Sequence, residues 1–242
     1  MTRRGGVALV TGAGHRLGRA FAVALGERGM RVAVHYNASA EGAKETARII
    51  EGAGGSAQLF QADLSDPYGP KALIDSVEKE VGSLDVVVNS AAGMVRTPFG
   101  EITPEKWDSI FALNLRAPFF VAQNAARIMV KGGVIVNIAD LAAFETWPGY
   151  IPHTISKAGV VKMTESLAKV LAPDIRVNAI APGAVLLPED WDEAQSQRFV
   201  ATTPLGAIGK PEDAVSAMLY LIDADYVTGE TIVVDGGRRI RK

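Results

Sequence analysis

Seven short, continuously apolar runs alternate along the chain with longer segments of helical period, and this alternation narrows the possible folds more than any other feature. VALVTG, RVAVHY, AQLFQAD, LDVVVNSA, GVIVNIAD, IRVNAIAPG and TIVVDGG are rich in β-branched residues and bounded by Gly, Asp or Asn. Runs of this kind, lacking a polar face, predict strands buried on both sides. Between them, Leu17–Arg28, Ala40–Gly52, Pro67–Val81, Pro104–Val130, Ile151–Leu171 and Pro211–Ile222 carry alanine-rich, helix-spaced apolar positions. Pro67, Pro104 and Pro211 fall near helix starts, where a missing N–H costs little. Strict alternation predicts a single α/β domain over residues 1–242: a doubly wound parallel sheet of these strands with helices on both faces.

Nothing in the 242 residues repeats or divides that pattern. One stretch interrupts it: residues 188–203 (PEDWDEAQSQRFVATT), polar and aromatic, lie between the sixth and seventh strands. An insertion there serves either as a substrate lid or as a plain surface helix, and the residues alone leave both readings open. Composition closes off other classes. With 48% apolar and 21% charged residues and a formal net charge of -2, the chain has neither the profile of a disordered protein nor the basic footprint of a nucleic-acid binder. It contains no cysteine, which excludes a disulfide framework, a thiolate zinc site and a cysteine nucleophile, and suits a cytoplasmic setting. His15, His35 and His153 lack HExxH spacing, so no metal site is expected. The GVALV run is too short for a signal-peptide core, and no run nears the roughly 18 apolar residues of a membrane helix. The expectation is a soluble protein with a small-molecule partner and no nucleic-acid or membrane partner. The basic ending RRIRK reads as a solvated tail and receives no role.

The first strand runs into TGAGHRLGR, where the chemistry begins. Gly12 and Gly18 bracket a turn that opens a helix; backbone amides and a helix N-terminus so placed can approach a pyrophosphate. A glycine cluster alone is a weak signal, but one that follows a strand, precedes a helix and opens a βαβ unit predicts a dinucleotide site. The end of the second strand discriminates between cofactors. A carboxylate there would accept from ribose hydroxyls and repel a 2′-phosphate, yet His35–Ser39 reads HYNAS, with Glu41 only in the following helix. Arg16 in the loop offers a fixed cation, and Ser39 a hydroxyl, to the extra phosphate. NADP(H) is therefore favoured over NAD(H); the alternative is that Arg16 is a solvated loop charge.

In chain order stand TGxxxxxG, Asp63 in QADLSD, NSAAG, Asn114 in NLRAPFF, VNIAD before a segment ending in SKAG, RVNAIAPG and VTGETIVVDGG. From Val7 to Gly237 this set resembles the short-chain dehydrogenase/reductase family. The resemblance implies a Rossmann-type sheet of about seven strands, a nicotinamide cofactor, a homotetramer or homodimer, and a catalytic set of Asn, Ser, Tyr and Lys. TGAGHRLGR, VHYNAS and VNIAD are most similar to pteridine reductases, an NADPH-dependent subgroup with Arg in the glycine loop and Asp in place of the catalytic Ser. The likeness implies that Gly12, His15, Arg16, Leu17 and Gly18 meet the phosphates, that His35, Tyr36, Asn37 and Ser39 surround the 2′-phosphate, and that Asp63 and Leu64 hold the adenine. Asn89 and Ala91 would line the cofactor's middle, Pro182 and Gly183 its nicotinamide, and Lys157 would bond its ribose. Where that subgroup stacks a pterin on an aromatic residue, this chain has Met94, and NNA has become NSA at Asn89–Ala91. A pterin substrate therefore does not follow.

The catalytic set itself is altered. In GYIPHTISKAG, His153 stands where the family's Tyr stands, four residues before Lys157, and Asp140 stands thirteen residues upstream in place of Ser. Reduction of a carbonyl or imine needs a hydride from the cofactor and a proton from the protein. An imidazolium, with an ordinary pKa near 6.5 against about 10 for a phenol, is a competent acid. Asp140 can orient one tautomer by accepting from one ring nitrogen. The ring is shorter than a Tyr side chain, so donation requires a deeper substrate or a relaying water. Tyr150 falls before Pro152, in the loop ahead of the helix, where it would line the pocket. Asn114, Asp140, His153 and Lys157 are thus the expected catalytic residues of an NADPH-dependent reductase of a small carbonyl or C=N heterocycle. The competing reading is a non-catalytic NADP-binding protein of the same fold.

Overall fold

The structure, a computed structural model, describes residues 6–185 and 192–240. Strands β1 (Val7–Val10), β2 (Arg31–Tyr36), β3 (Ser56–Gln61), β4 (Leu84–Asn89), β5 (Met129–Ile138), β6 (Ile175–Pro182) and β7 (Thr231–Val234) form one sheet in the order β3-β2-β1-β4-β5-β6-β7. Every neighbouring pair is parallel. Parallel neighbours need long crossovers, and these contain α1 (Arg16–Glu27), α2 (Ala40–Gly52), α3 (Gly69–Val81), α4 (Pro104–Phe111), α5 (Ala117–Ala125), α6 (Ile151–Leu171), α7 (Glu193–Ala201) and α8 (Pro211–Asp223).

Side chains along each strand alternate between two cores, which explains runs with no polar face. Leu9 joins Ala33, Val87, Ile135 and Val177 beneath α3, α5 and α6. Its neighbours Ala8 and Val10 join Val32, Val34, Val86 and Val134 beneath α1, α2 and α8. Each fully buried Leu, Ile or Phe in these layers contributes about 1.5–3 kcal/mol. Among the described residues no helix is long and apolar enough to cross a membrane, and no group of three His, Asp or Glu side chains is placed to hold a metal ion.

One expected helix is broken. Residues 104–130 divide into α4, a π-helical turn at Ala112–Arg116, and α5, which ends at Ala125. Met129 and Val130 belong instead to β5, where Met129 pairs with Leu84 and the register slips before Val134 meets Val86. Gly132, at φ 79°, adopts a conformation that other side chains resist, so the apolar run continues as a bulged strand. In the expected insertion, α7 is closed at its start by a capping box between Asp192 and Gln195, while residues 188–191 lie outside the described residues.

From β1 the chain winds outward through β2 and β3, then returns to β4 on the other side of β1. At such a switch point the connections diverge, leaving a crevice at the carboxyl ends of the strands.

Candidate active site

A cleft of about 1240 Å³ occupies that crevice, from the glycine loop after β1 to the segment between β5 and α6. It exceeds the range of about 300–1,000 Å³ usual for one drug-sized ligand. A dinucleotide and a second small molecule can share such a space.

The glycine loop is built for close approach. Gly12 has φ +66°, and a Cβ on it would stand 2.9 Å from Ala91 Cα; a Cβ on Gly18 would collide with the Gly12 carbonyl. Three side chains hold the loop from behind. Gly12 N donates to His35 Nδ1 at 3.1 Å, Thr46 Oγ1 donates to Ala13 O at 2.9 Å, and Arg19 Nη2 donates to Gly14 O at 2.8 Å. His35 Nε2 donates in turn to Ala62 O at 3.1 Å. Burial pushes the His35 pKa down to about 4, against the opposing Ala62 hydrogen bond. The expected contact of His35 with a 2′-phosphate is thus altered: the residue borders the cleft, but both ring nitrogens bond within the fold, and it acts through the loop it pins.

His15 and Arg16 are exposed, and Arg16 takes the left-handed backbone at φ 51°, a conformation costing a non-glycine residue about 1–2 kcal/mol. Both border the cleft with Leu17 and Gly18, as do Tyr36, Asn37 and Ser39 across the crevice. No carboxylate stands in that second set. Asp63 and Leu64 border it too; the Asp63 carboxylate accepts from Ser65 Oγ and N, and these bonds hold its pKa below the ordinary value. A glycine cradle at a helix N-terminus, an arginine in its loop and no acid at His35–Ser39 fit a dinucleotide carrying a 2′-phosphate.

The expected catalytic residues come together at the other end, but not all face the cleft. Asp140 borders it; one carboxylate oxygen accepts from Ala142 N at 2.7 Å, the other from His153 Nε2 at 2.7 Å. His153 is 2% exposed and stands behind Asp140 rather than in the cleft wall. The expectation that its ring meets substrate directly gives way to one in which Asp140 intervenes. Trp147, in the wall, lies nearly parallel to the imidazole, 13° between planes and 6.3 Å between centroids. Lys157 is buried and donates to Ile138 O at 2.8 Å; burial lowers its pKa, with the Asp140 charge opposing.

Asn114 sits in the π-helical turn, a geometry frequent at functional sites. Its Oδ1 accepts from Gly93 N at 2.8 Å, and its Nδ2 donates to Gly93 O at 2.9 Å. The same Nδ2 lies 3.3 Å from His153 Nδ1, which is also 3.3 Å from Gly93 O. With Nε2–H directed to a carboxylate, a neutral ring accepts from Asn114 at Nδ1, and a cationic ring donates there to Gly93. The site holds a partner for either state.

Of the remaining expected residues, Ala91, Pro182, Gly183, Met94 and Tyr150 border the cleft, and Met94 is 56% exposed. Asn89 does not: its side chain is buried and donates to Asn137 Oδ1 at 2.9 Å, joining β4 to β5. Sequence reasoning missed Trp147, Glu145, Arg238 and Arg239, all in the cleft wall, while Phe199, also there, falls in the stretch 188–203 read as either a lid or a surface helix. The aromatic loop FETWPGY and the basic ending were the available signals.

A family model described as enoyl-(acyl carrier protein) reductase matches residues 12–239. The 3β-hydroxysteroid dehydrogenase 1 of Eggerthella lenta is 37% identical, covering 97% of this chain and 94% of its own. The glucose 1-dehydrogenase 2 of Bacillus subtilis is 36% identical, covering 96% and 94%. Among solved structures, an angucycline C-6 ketoreductase with bound NADP superposes with a TM-score of 0.92 at 31% identity, covering 99% of this chain and 97% of that one.

Proposed function

Because this chain belongs to the short-chain dehydrogenase/reductase family of oxidoreductases, we propose that it is an NADPH-dependent reductase of a carbonyl compound. One observation carries this reading: a glycine cradle without an acidic neighbour at His35–Ser39 is continuous, in one cleft, with Asp140 backed by His153. The related ketoreductase solved with NADP supports the choice of nucleotide. Titration with NADPH and NADH, followed by NADPH oxidation against a panel of ketones, tests both halves. Equal affinities contradict the nucleotide assignment; no turnover across the panel contradicts the reductase.

Gly12, Arg16, Leu17 and Gly18 would hold the phosphates, Ser39 and Arg16 the 2′-phosphate, Asp63 and Leu64 the adenine, and Pro182 and Gly183 the nicotinamide. The nicotinamide, when bound, supplies hydride to the carbonyl carbon. The protein must protonate the oxygen. Asp140 faces the cleft and His153 Nε2 lies 2.7 Å behind it, so a proton held by the imidazolium can pass through the carboxyl group to the new alkoxide. The pair is left one proton poorer, with His153 neutral and accepting from Asn114. Asp140 is then the catalytic residue that meets substrate, and His153 and Asn114 position and supply its proton. Lys157, which the family likeness assigns to the nicotinamide ribose, here donates to the Ile138 carbonyl and stands behind the cleft wall rather than in it.

Within the family, likeness to pteridine reductases rests on Arg16, His35, Tyr36 and Asp140. The aromatic wall here is Trp147 with Tyr150, whose rings meet edge to face at 6.3 Å, and Met94 occupies the pterin-stacking place. We assign the chain to a cytoplasmic dimer or tetramer: α5 and α6 leave Phe119 and Ile155 exposed, and pairing of these helices across a twofold axis would cover them. Sedimentation as a monomer at micromolar concentration contradicts the assembly and leaves the chemistry untouched.

A further inference from the structure

The basic end of the chain borders the cleft. Gly236 and Gly237, at φ 62° and 86°, fold the chain back after β7 and bring Arg238 and Arg239 into the wall. The two arginines differ. Arg238 lies 3.6 Å above the Phe199 ring and donates to Thr202 Oγ1 at 2.7 Å, so it fastens the end of α7. Arg239 lies 4.8 Å over the ring of Phe144, the residue preceding the Glu145–Trp147 stretch of the cleft wall. Among the described residues its guanidinium has no carboxylate partner.

Three carboxylates of the described residues at this end already have donors. Asp140 accepts from Ala142 N and His153. Glu145 accepts from the Trp147 indole at 3.0 Å. Asp235 accepts from the backbone N–H groups of Gly237 and Arg239. An aromatic ring thus holds a planar cation whose N–H edge meets no acceptor among the described residues, at the end of the cleft away from the glycine loop. A guanidinium in that state suits bidentate binding of a carboxylate.

We propose that the substrate is an oxo acid, a ketone bearing a carboxylate, whose anionic end is anchored by Arg239 while its carbonyl faces Asp140. This rests on the reductase reading above and names the substrate class for the same site. The apolar middle of such a molecule would lie along Trp147, Tyr150 and Met94.

The test compares 2-oxo-4-phenylbutanoate and 4-oxo-4-phenylbutanoate, each with its ethyl ester, as substrates of the NADPH-loaded protein. The better acid should exceed its ester in kcat/KM by about 10- to 100-fold, the worth of a charge-assisted pair, and the excess should shrink as salt is added. Arg239→Leu should bring the ratio near one without weakening NADPH binding, and Arg239→Lys should keep part of it. An acid-to-ester ratio near one in the natural protein, a ratio unchanged by Arg239→Leu, or a loss of NADPH affinity in that variant overturns the proposal. Calorimetry with 4-phenylbutanoate and its amide on the NADP-loaded protein reads the same preference without turnover. Preference with no turnover overturns the reductase alone; turnover with no preference overturns the anion anchor alone; neither overturns both.

Discussion

His35 and His153 stand near opposite ends of one cleft, each 2% exposed, and each has both ring nitrogens within reach of partners. The partners differ. His35 Nδ1 receives the Gly12 N–H and Nε2 gives to the Ala62 carbonyl, an arrangement that only a neutral ring satisfies, since a proton on Nδ1 would face another donor. His153 has a carboxylate at Nε2 and, at Nδ1, both an amide donor and a carbonyl acceptor. Burial alone therefore does not decide what a histidine can do; the partners decide. The first ring is a fixed strut for the glycine loop, and the second can exchange a proton.

Substitution at the two positions should separate these roles. His153→Ala should lower turnover by about 10²–10⁴-fold, the usual range for general acid catalysis, with NADPH affinity unchanged. Steady-state rates and nucleotide titrations read the two effects apart, and retained turnover would shift the proton to Tyr150. His35→Ala should do the reverse, weakening NADPH binding more than it slows a saturated enzyme.

Acid should strain the strut. The folded His35 pKa of about 4 lies below the ordinary 6.5, so between these values the unfolded chain binds a proton that the folded chain refuses. Stability from this group is complete above about pH 6.5 and falls as pH drops toward 4, by about 3 kcal/mol in all. Denaturant unfolding at pH 7.5 and pH 4.5 should show this loss in the natural protein and a smaller one in His35→Gln. Equal losses in the two would break the contrast between the histidines.

At the glycine loop, NADPH should bind more tightly than NADH by about 1–3 kcal/mol, and Arg16→Ala should erase most of that difference in parallel titrations. The smallest effect is expected at Tyr150→Phe, about 0.5–1.5 kcal/mol in kcat/KM, carried by KM because Tyr150 borders the cleft and, among the described residues, no hydrogen bond joins its hydroxyl to Asp140.

The fold was legible because seven apolar runs can be satisfied only by covering both faces of a sheet. The exception was local: Met129 and Val130 read as the end of a helix, and their place in β5 depends on Leu84, which pairs with Met129 from 45 residues away. That the glycine loop and HYNAS would line one cleft was equally legible, since each is contiguous in the chain and both follow neighbouring strands. The chemical end was legible by residue type but not by depth. Asp140, His153 and Asn114 were identifiable, whereas the order in which they stand behind one another depends on the packing of α6 against the π-helical turn. Arg239 was least accessible, because nothing in RRIRK reveals that a pair of glycines turns it toward the cleft.

The central claim is that Asp140 and His153 act as one proton-handling unit with Asp140 facing substrate. Single-turnover NADPH oxidation, with the best ketone of the panel, should be measured for Asp140→Asn, His153→Ala and the double variant. Residues acting as a unit give losses that do not multiply, so the double variant should fall no more than about threefold below the slower single variant. Multiplying losses, or a His153→Ala protein that reacts at the natural rate, would contradict the account.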